Sequence, residues 1–305
     1  MTRNEIHASI MQVLGSAGIR PRHRFGQNFM IEPRTLDAIV RSAELSTDFL
    51  VLEIGPGPGN LTRLLAQQAA HVLAVDIDRQ LLPAAKTALS DCANITWLCA
   101  DALDGKHRLS GEVHETLSAL SVGRNVKLVA NLPYNIASPL IVVLLSLLWR
   151  HLHGEPGGIP FSSFTFTVQL EVARRMTAAT DHPDYGALTV MIAAIADARL
   201  ITIIPPGHFW PPPQIDSALV QLLPRPERAA AIRDYPFMES VVSQMFSHRR
   251  QTIGNALRHS FHGRIPREAF KADDSPWLKR RAGELSAEDY MALANRLQDM
   301  VSCRD

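Results

Sequence analysis

The residues that announce chemistry most openly are Asn131, Leu132, Pro133 and Tyr134. A side-chain amide oxygen followed by a backbone carbonyl gives two hydrogen-bond acceptors side by side, and an aromatic ring stands close behind them. That set suits the exocyclic amine of adenine. The N6 lone pair is delocalised into the ring and is a poor nucleophile, yet the amine is far too weak an acid for a carboxylate to deprotonate. Holding both N6 protons, one on the Asn131 oxygen and one on the Leu132 carbonyl, draws the nitrogen toward sp3 and aims its lone pair at an electrophile. Tyr134 then stacks on the extruded base. No titrating group is required. The competing structural account is a simple turn with a buried tyrosine.

An electrophile needs a site of its own, and VLEIGPGPGNLT at 51 to 62 supplies a strand, a tight turn and a helix start. The glycines Gly55, Gly57 and Gly59 let backbone approach a ligand. They read GxGxG, not the GxGxxG of dinucleotide sites, and Pro56 and Pro58 have no amide to offer a pyrophosphate. A turn of this kind suits an adenosyl amino acid better than a diphosphate. The next strand ends in AVDID, which puts Asp76 about twenty residues after the first glycine, where a carboxylate accepts from both ribose hydroxyls. Asp78 is expected on the opposite face, and a helix N-cap is the alternative role for Asp76. A third strand ends in ADAL, bringing Asp101 and Ala102 to the same edge, with Asp101 placed to accept from an adenine amino group or merely to shape a strand-end turn.

These positions must be held by an α/β framework. Short β-branched runs predict strands at 49–54, 71–75, 95–99, 126–130, 164–168, 200–204 and 218–223, alternating with helical patterns as in a doubly wound Rossmann-like sheet. The last two flank PPGHFWPPPQIDS, which has no helical pattern, so they are expected to pair antiparallel at one edge. PRPE at 224 to 227 ends the strand pattern, and helical periodicity follows. The expected division is 1–224, a Rossmann-like sheet domain with a helical lead-in, and 225–305, a small all-helical domain. LSAED is a helix start, with Ser286 as N-cap and Asp289 completing a capping box.

Bulk properties narrow the class. With 305 residues, 46% hydrophobic and 20% charged, the chain is globular and long enough for two domains. Cys92, Cys99 and Cys303 form no CxxC pair, which points to a reducing compartment and no zinc ribbon. The apolar run from Ile136 to Trp149 is too short to span a bilayer and reads as a buried helix. The N-terminus lacks a secretory pattern, so a cytoplasmic protein without membrane or metal is expected, although Arg3, Arg20, Arg22 and Arg24 also give it some transit-peptide character. Net charge is only +1, but Ser240 to Arg267 holds Arg249, Arg250, Arg258, Arg264 and Arg267, three histidines and no carboxylate. Solvated helix faces normally mix signs, so this stretch is a candidate for phosphate contact.

From Arg24 to Asn295 the sequence resembles the KsgA-type ribosomal RNA adenine dimethyltransferases. The likeness is carried by FGQNFM, LEIGPGPGNLT, AVDID, ADAL, NLPYNIASPLI, VQLEVARRM, YGALTVM, FWPPPQIDSALV and FSHRRQTIGNAL, in the family's order. It implies dimethylation of N6 on adjacent adenosines of small-subunit (16S-type) RNA, with S-adenosylmethionine as cofactor and the immature small ribosomal subunit as partner of a monomer. Residue by residue it implies cofactor contacts from Asn28 and Met30, with Gln27 nearby, and from Gly55, Asp76, Asp101 and Asn131. It also implies a second base-stacking aromatic at Phe209 and RNA contact by the helical domain. Gln251 and Leu170 stand where the family usually has lysine, and 104–125 and 151–162 are expected as long loops. The alternatives are a macrolide-resistance type enzyme acting on large-subunit RNA, against which FSHRRQTIGNAL argues, and a non-catalytic assembly or transcription factor. An NAD-dependent oxidoreductase is disfavoured by the proline-laden turn.

Overall fold

The computed structural model describes residues 1–22, 26–105, 107–261 and 276–302. Among the described residues nine strands occur, in the order β1 (Phe29–Met30), β2 (Leu50–Ile54), β3 (His71–Asp76), β4 (Ile95–Cys99), β5 (Val126–Asn131), β6 (Phe161–Gln169), β7 (Ala196–Ile204), β8 (Phe209–Trp210) and β9 (Ser217–Pro224). Seven of them form one sheet in the order β4-β3-β2-β5-β6-β9-β7. β2 to β6 are parallel to their neighbours, whereas β9 runs antiparallel to β6 and lies between it and β7. The expected seven-stranded sheet and its reversed edge are both present, with strand ends differing by a few residues.

Helices follow from the same pattern. α1 (Arg3–Ala17) starts with a capping box in which Thr2 and Glu5 satisfy each other's backbone amides. α2 (Pro33–Ala43) has proline in its first turn, where the missing N–H costs nothing, and buries Leu36, Ile39 and Val40. α3 (Asn60–Ala66) follows the glycine turn and α4 (Leu81–Ala88) follows β3. α5 (Gly111–Leu120) occupies much of the segment expected as a long loop, burying Val113 and Leu117. With only these two residues buried, its one-sided apolar spacing is a weak signal. His114 Nε2 of α5 lies 2.8 Å from the Gly157 carbonyl, so the two longer connections meet each other. The apolar run becomes α6 (Ala137–Leu152), with Leu140, Ile141, Leu144 and Leu145 fully buried. No described helix is long and apolar enough to cross a membrane.

The chain divides into two compact units, Met1–Ala173 with Arg199–Pro224, and Arg174–Ala198 with Arg225–Asp305, the first boundary falling inside α7 (Leu170–Met176). The second unit therefore takes in Arg174–Ala198, which a division at 224/225 leaves in the first. Long-range packing, invisible in local periodicity, is the reason. Within the second unit the Tyr235 hydroxyl donates to the Met191 carbonyl at 3.1 Å and the Tyr185 hydroxyl to the Leu285 carbonyl at 2.9 Å. That unit holds α8 (Ala187–Ala193), α9 (Pro226–Ala229), α10 (Tyr235–Ser247), α11 (Ile253–Ser260) and α12 (Ala287–Ser302). Asp234 caps α10 through the Phe237 amide, and Ser286 and Asp289 form the expected box at the start of α12.

Candidate active site

The carboxyl ends of β2, β3 and β5 and the segments that follow β4 and β5 open onto one cleft of about 120 Å³. Ligands in open α/β sheets bind at this edge, where strand order reverses on either side of the first strand. Gln27, Asn28, Gly55, Gly57, Asp76, Asp101, Ala102, Asn131, Leu132, Pro133 and Tyr134 all line it. Residues from five separate motifs thus converge.

The glycine turn is held closed. Gly55 N donates to the Val75 carbonyl at 2.8 Å, and Gly57 N donates to Asp76 Oδ2 at 3.2 Å. Gly57 has a φ of +55°, and a Cβ there would come within 2.9 Å of the Phe29 ring. Asp76 Oδ1 accepts from Asp78 N at 2.9 Å, so each Asp76 oxygen has one backbone donor and keeps acceptor capacity for a ligand. Burial pushes the Asp76 carboxyl above its ordinary value. The alternative capping role falls to Asp78, whose Oδ1 takes the Gln80 and Leu81 amides at the start of α4. Asp78 Oδ2 accepts from Gln27 Nε2 at 2.9 Å, and Gln27 Oε1 accepts from Arg22 N at 2.8 Å. Gln27 stands at the cleft wall with one end of its amide on Asp78 and the other on the Arg22 backbone.

Two residues before Gly55 sits Glu53, 1% exposed on β2. Burial pushes its carboxyl up to about 8. It lines a smaller cavity with Asn60 and Asn131, and among the described residues its Oε2 has no hydrogen-bond partner.

At the reaction end, Asn131 closes β5. Its Nδ2 donates to the Asn28 carbonyl at 2.9 Å, and its Oδ1 accepts from the Thr167 hydroxyl. Tyr134 shares a hydrogen bond of 2.7 Å with Ser217, a fully buried residue at the start of β9. Burial holds the phenol above its ordinary value. Neither Thr167 nor Ser217 was singled out from sequence. Ser217 had a signal, as the last residue of FWPPPQIDS, but Thr167 depends on strand register alone.

Two expected site residues stand elsewhere. Met30 and Phe209 are register partners in the two-residue ladder of β1 and β8, at 5% and 2% exposure. Phe209 belongs to the hydrophobic core packed on α1 and α2 and does not line the cleft. Its ring is spent on tying the FGQNFM segment to the proline-rich loop, a pairing with no local signal in the sequence. Met30 lines the smaller cavity. Arg249, Arg250 and Arg258 are all exposed, with Arg249 donating to the Pro183 carbonyl and Arg258 to Asn255 Oδ1, each at 3.0 Å. Arg24, Arg264 and Arg267 lie outside the described residues. Among the described residues no cluster of His, Cys, Asp and Glu is arranged to hold a metal ion.

A sequence model of the ribosomal RNA adenine dimethylase family matches residues 18–299. The chain belongs to this family. A ribosomal RNA small subunit methyltransferase A from Pelotomaculum thermopropionicum is 37% identical, covering 96% of both chains. The protein of the same name from Chromobacterium violaceum is 36% identical over 92% of this chain and 96% of its own. Among solved structures, a dimethyladenosine transferase from Plasmodium falciparum superposes with a TM-score of 0.65 at 23% identity, covering 89% of this chain and 98% of the other, which speaks for the fold. The 23S rRNA methyltransferase ErmE gives 0.57 at 26% identity, covering 89% of this chain and all of the other. The resemblance, the fold class and the reading of an enzyme that dimethylates adenine in ribosomal RNA are borne out by these matches. For this dimethylase family member, the cleft at the sheet edge is the place to look for the reaction.

Proposed function

We propose that this chain transfers methyl groups from S-adenosylmethionine to N6 of adjacent adenosines in small-subunit ribosomal RNA, two to each, as a monomer in the cytoplasm acting on the immature subunit. The observation that carries it is the meeting of Asp76, Asp101 and the glycine turn with Asn131, Leu132 and Tyr134 on a single cleft. The residues fit an adenosyl amino acid: two carboxylates for hydroxyls and an amine, apolar Ile54, Val75 and Ala102 for an adenine face, and a turn too close-packed at Gly57 to admit a side chain.

S-adenosylmethionine, when bound, supplies the electrophilic methyl group. The chain's own part is to bind and aim. Asp76 and Asp101 hold the adenosyl portion, with Gly55, Gly57 and Asn28 along the wall. Asn131 Oδ1 and the Leu132 carbonyl accept the two N6 protons, which localises the lone pair and orients it; Tyr134 stacks on the base, and Ser217 fixes that ring. Pro133 packs against Gly55, its ring 3.1 Å from where a Cβ would stand. Arg249, Arg250 and Arg258 neutralise RNA phosphates. Macrolide-type specificity is the neighbouring alternative, and the identity to small-subunit enzymes of several organisms weighs against it.

Mass spectrometry of nucleosides decides the matter after incubation with labelled cofactor and either immature small subunits or large-subunit RNA. Dimethyladenosine in the small-subunit sample is expected. Label confined to large-subunit RNA, or absent from both, overturns the proposal.

A further inference from the structure

Asn131 and Thr167 are register partners across the β5–β6 ladder, and their side chains are joined. A side-chain amide presents different chemistry at its two ends, and its partners decide which end faces which way. The Asn28 carbonyl only accepts, so the bond from Asn131 Nδ2 at 2.9 Å fixes the polarity of the group. With Nδ2 committed there, the Thr167 hydroxyl faces Oδ1 and must donate. Together the two bonds hold the amide at both ends. They also occupy one of the two acceptor positions on Oδ1.

Thr167 is fully buried, the last of three hydroxyl residues that alternate along one face of β6 after Ser163 and Thr165. Among the described residues, Ser163 Oγ and Thr165 Oγ1 have no hydrogen-bond partner. The hydroxyl that is engaged is the one whose neighbour in register closes β5 at the cleft.

Building on the proposed amine methylation, we infer that Thr167 is the positioning residue of the reaction, turning Asn131 so that a single acceptor site of Oδ1 meets the substrate amine. A consequence follows for N6. One of its protons goes to Asn131, and the other goes to the Leu132 carbonyl because Oδ1 has no second site to give.

The test compares Thr167→Val, which keeps the shape and removes the donor, with Thr167→Ser, which keeps the donor. At saturating RNA and cofactor, Thr167→Val should lower kcat about tenfold, as a misaimed reactant does, while KM for RNA and calorimetric cofactor affinity stay within about twofold. Thr167→Ser should recover most of the rate. A second readout needs no turnover: in protein labelled with nitrogen-15 asparagine, the Asn131 side-chain amide should exchange its protons at least about tenfold faster in Thr167→Val than in wild type or Thr167→Ser. Thr167→Ala serves for both measurements if the valine variant does not fold. Wild-type kcat and wild-type amide exchange in a folded hydroxyl-free variant overturn the role of Thr167. A wild-type protein that yields no methyladenosine instead overturns the proposed function, and the amide exchange still decides whether Thr167 holds Asn131.

Discussion

Single side chains carry the site, and their burial says what each change should do. Asp76 accepts two backbone amides as well as facing the cleft, so Asp76→Ala removes a ligand contact and loosens the glycine turn together. Cofactor affinity should fall by about 1.5 to 3 kcal/mol, the range for hydrogen bonds to a charged group. Calorimetry with unchanged affinity would leave Asp76 a purely structural residue. Tyr134 separates two contributions. Tyr134→Phe keeps the ring and loses only the bond to Ser217, whereas Tyr134→Ala should lose roughly 1 to 3 kcal/mol of base stacking while cofactor affinity stays nearly intact. RNA binding measured for both variants checks this, and equal losses would place the energy in the hydroxyl and not the ring.

At the level of the element, β2 and its turn combine a wall of the cleft with a buried acid, Glu53, whose Oε2 has no hydrogen-bond partner among the described residues. Glu53 has its folded value raised to about 8 from 4.5, so the folded protein keeps a proton that the unfolded chain releases between these values. The stability tied to this group is complete below about pH 4.5 and is lost as pH rises through about 8. Glu53→Gln should therefore flatten the fall in unfolding free energy of the cofactor-free protein across pH 5 to 8.5, a change on the order of a few kcal/mol. The slope is the readout, since the new amide brings its own burial cost. Denaturant unfolding at several pH values with identical slopes in both proteins would show that Glu53 does not titrate in that window. The turn itself tolerates little. Gly57→Ala places a Cβ in a left-handed conformation and against Phe29, and should cost at least about 1 to 2 kcal/mol of stability as well as weaken cofactor binding.

For the whole molecule the open matter is how a chain of net charge +1 engages RNA. The exposed Arg249 and Arg250 follow α10, in a stretch without carboxylates. If they neutralise phosphates, removing one arginine should make the salt dependence of RNA binding shallower by about 0.7 to 0.9 units. Arg249→Ala with Arg250→Ala should lower both affinity and slope and leave cofactor binding unchanged; Gln251→Lys should steepen the slope by about the amount that one further neutralised phosphate brings. Arg249 also donates to the Pro183 carbonyl within the same unit. A double variant with unchanged salt slope and a lowered melting temperature would assign these arginines to packing.

Local pattern alone determined much of this protein. Strands read from β-branched runs, the α6 helix from its apolar stretch, the capping box of α12 and the cleft residues from Gly55 to Tyr134 all depend on neighbours in the chain, whose spacing is written in the sequence. The expected loop at 104–125 shows the limit of that reading, because a short helix burying only Val113 and Leu117 has a weak pattern. Tertiary structure decided whatever depends on partners far apart. Arg174–Ala198 joins the second unit through packing that no local periodicity encodes. Phe209 is drawn into the core because β8 pairs with β1, about 180 residues away. Thr167 meets Asn131 only because two parallel strands stand in one particular register, and a slip of one residue would turn that hydroxyl to the other face of the sheet.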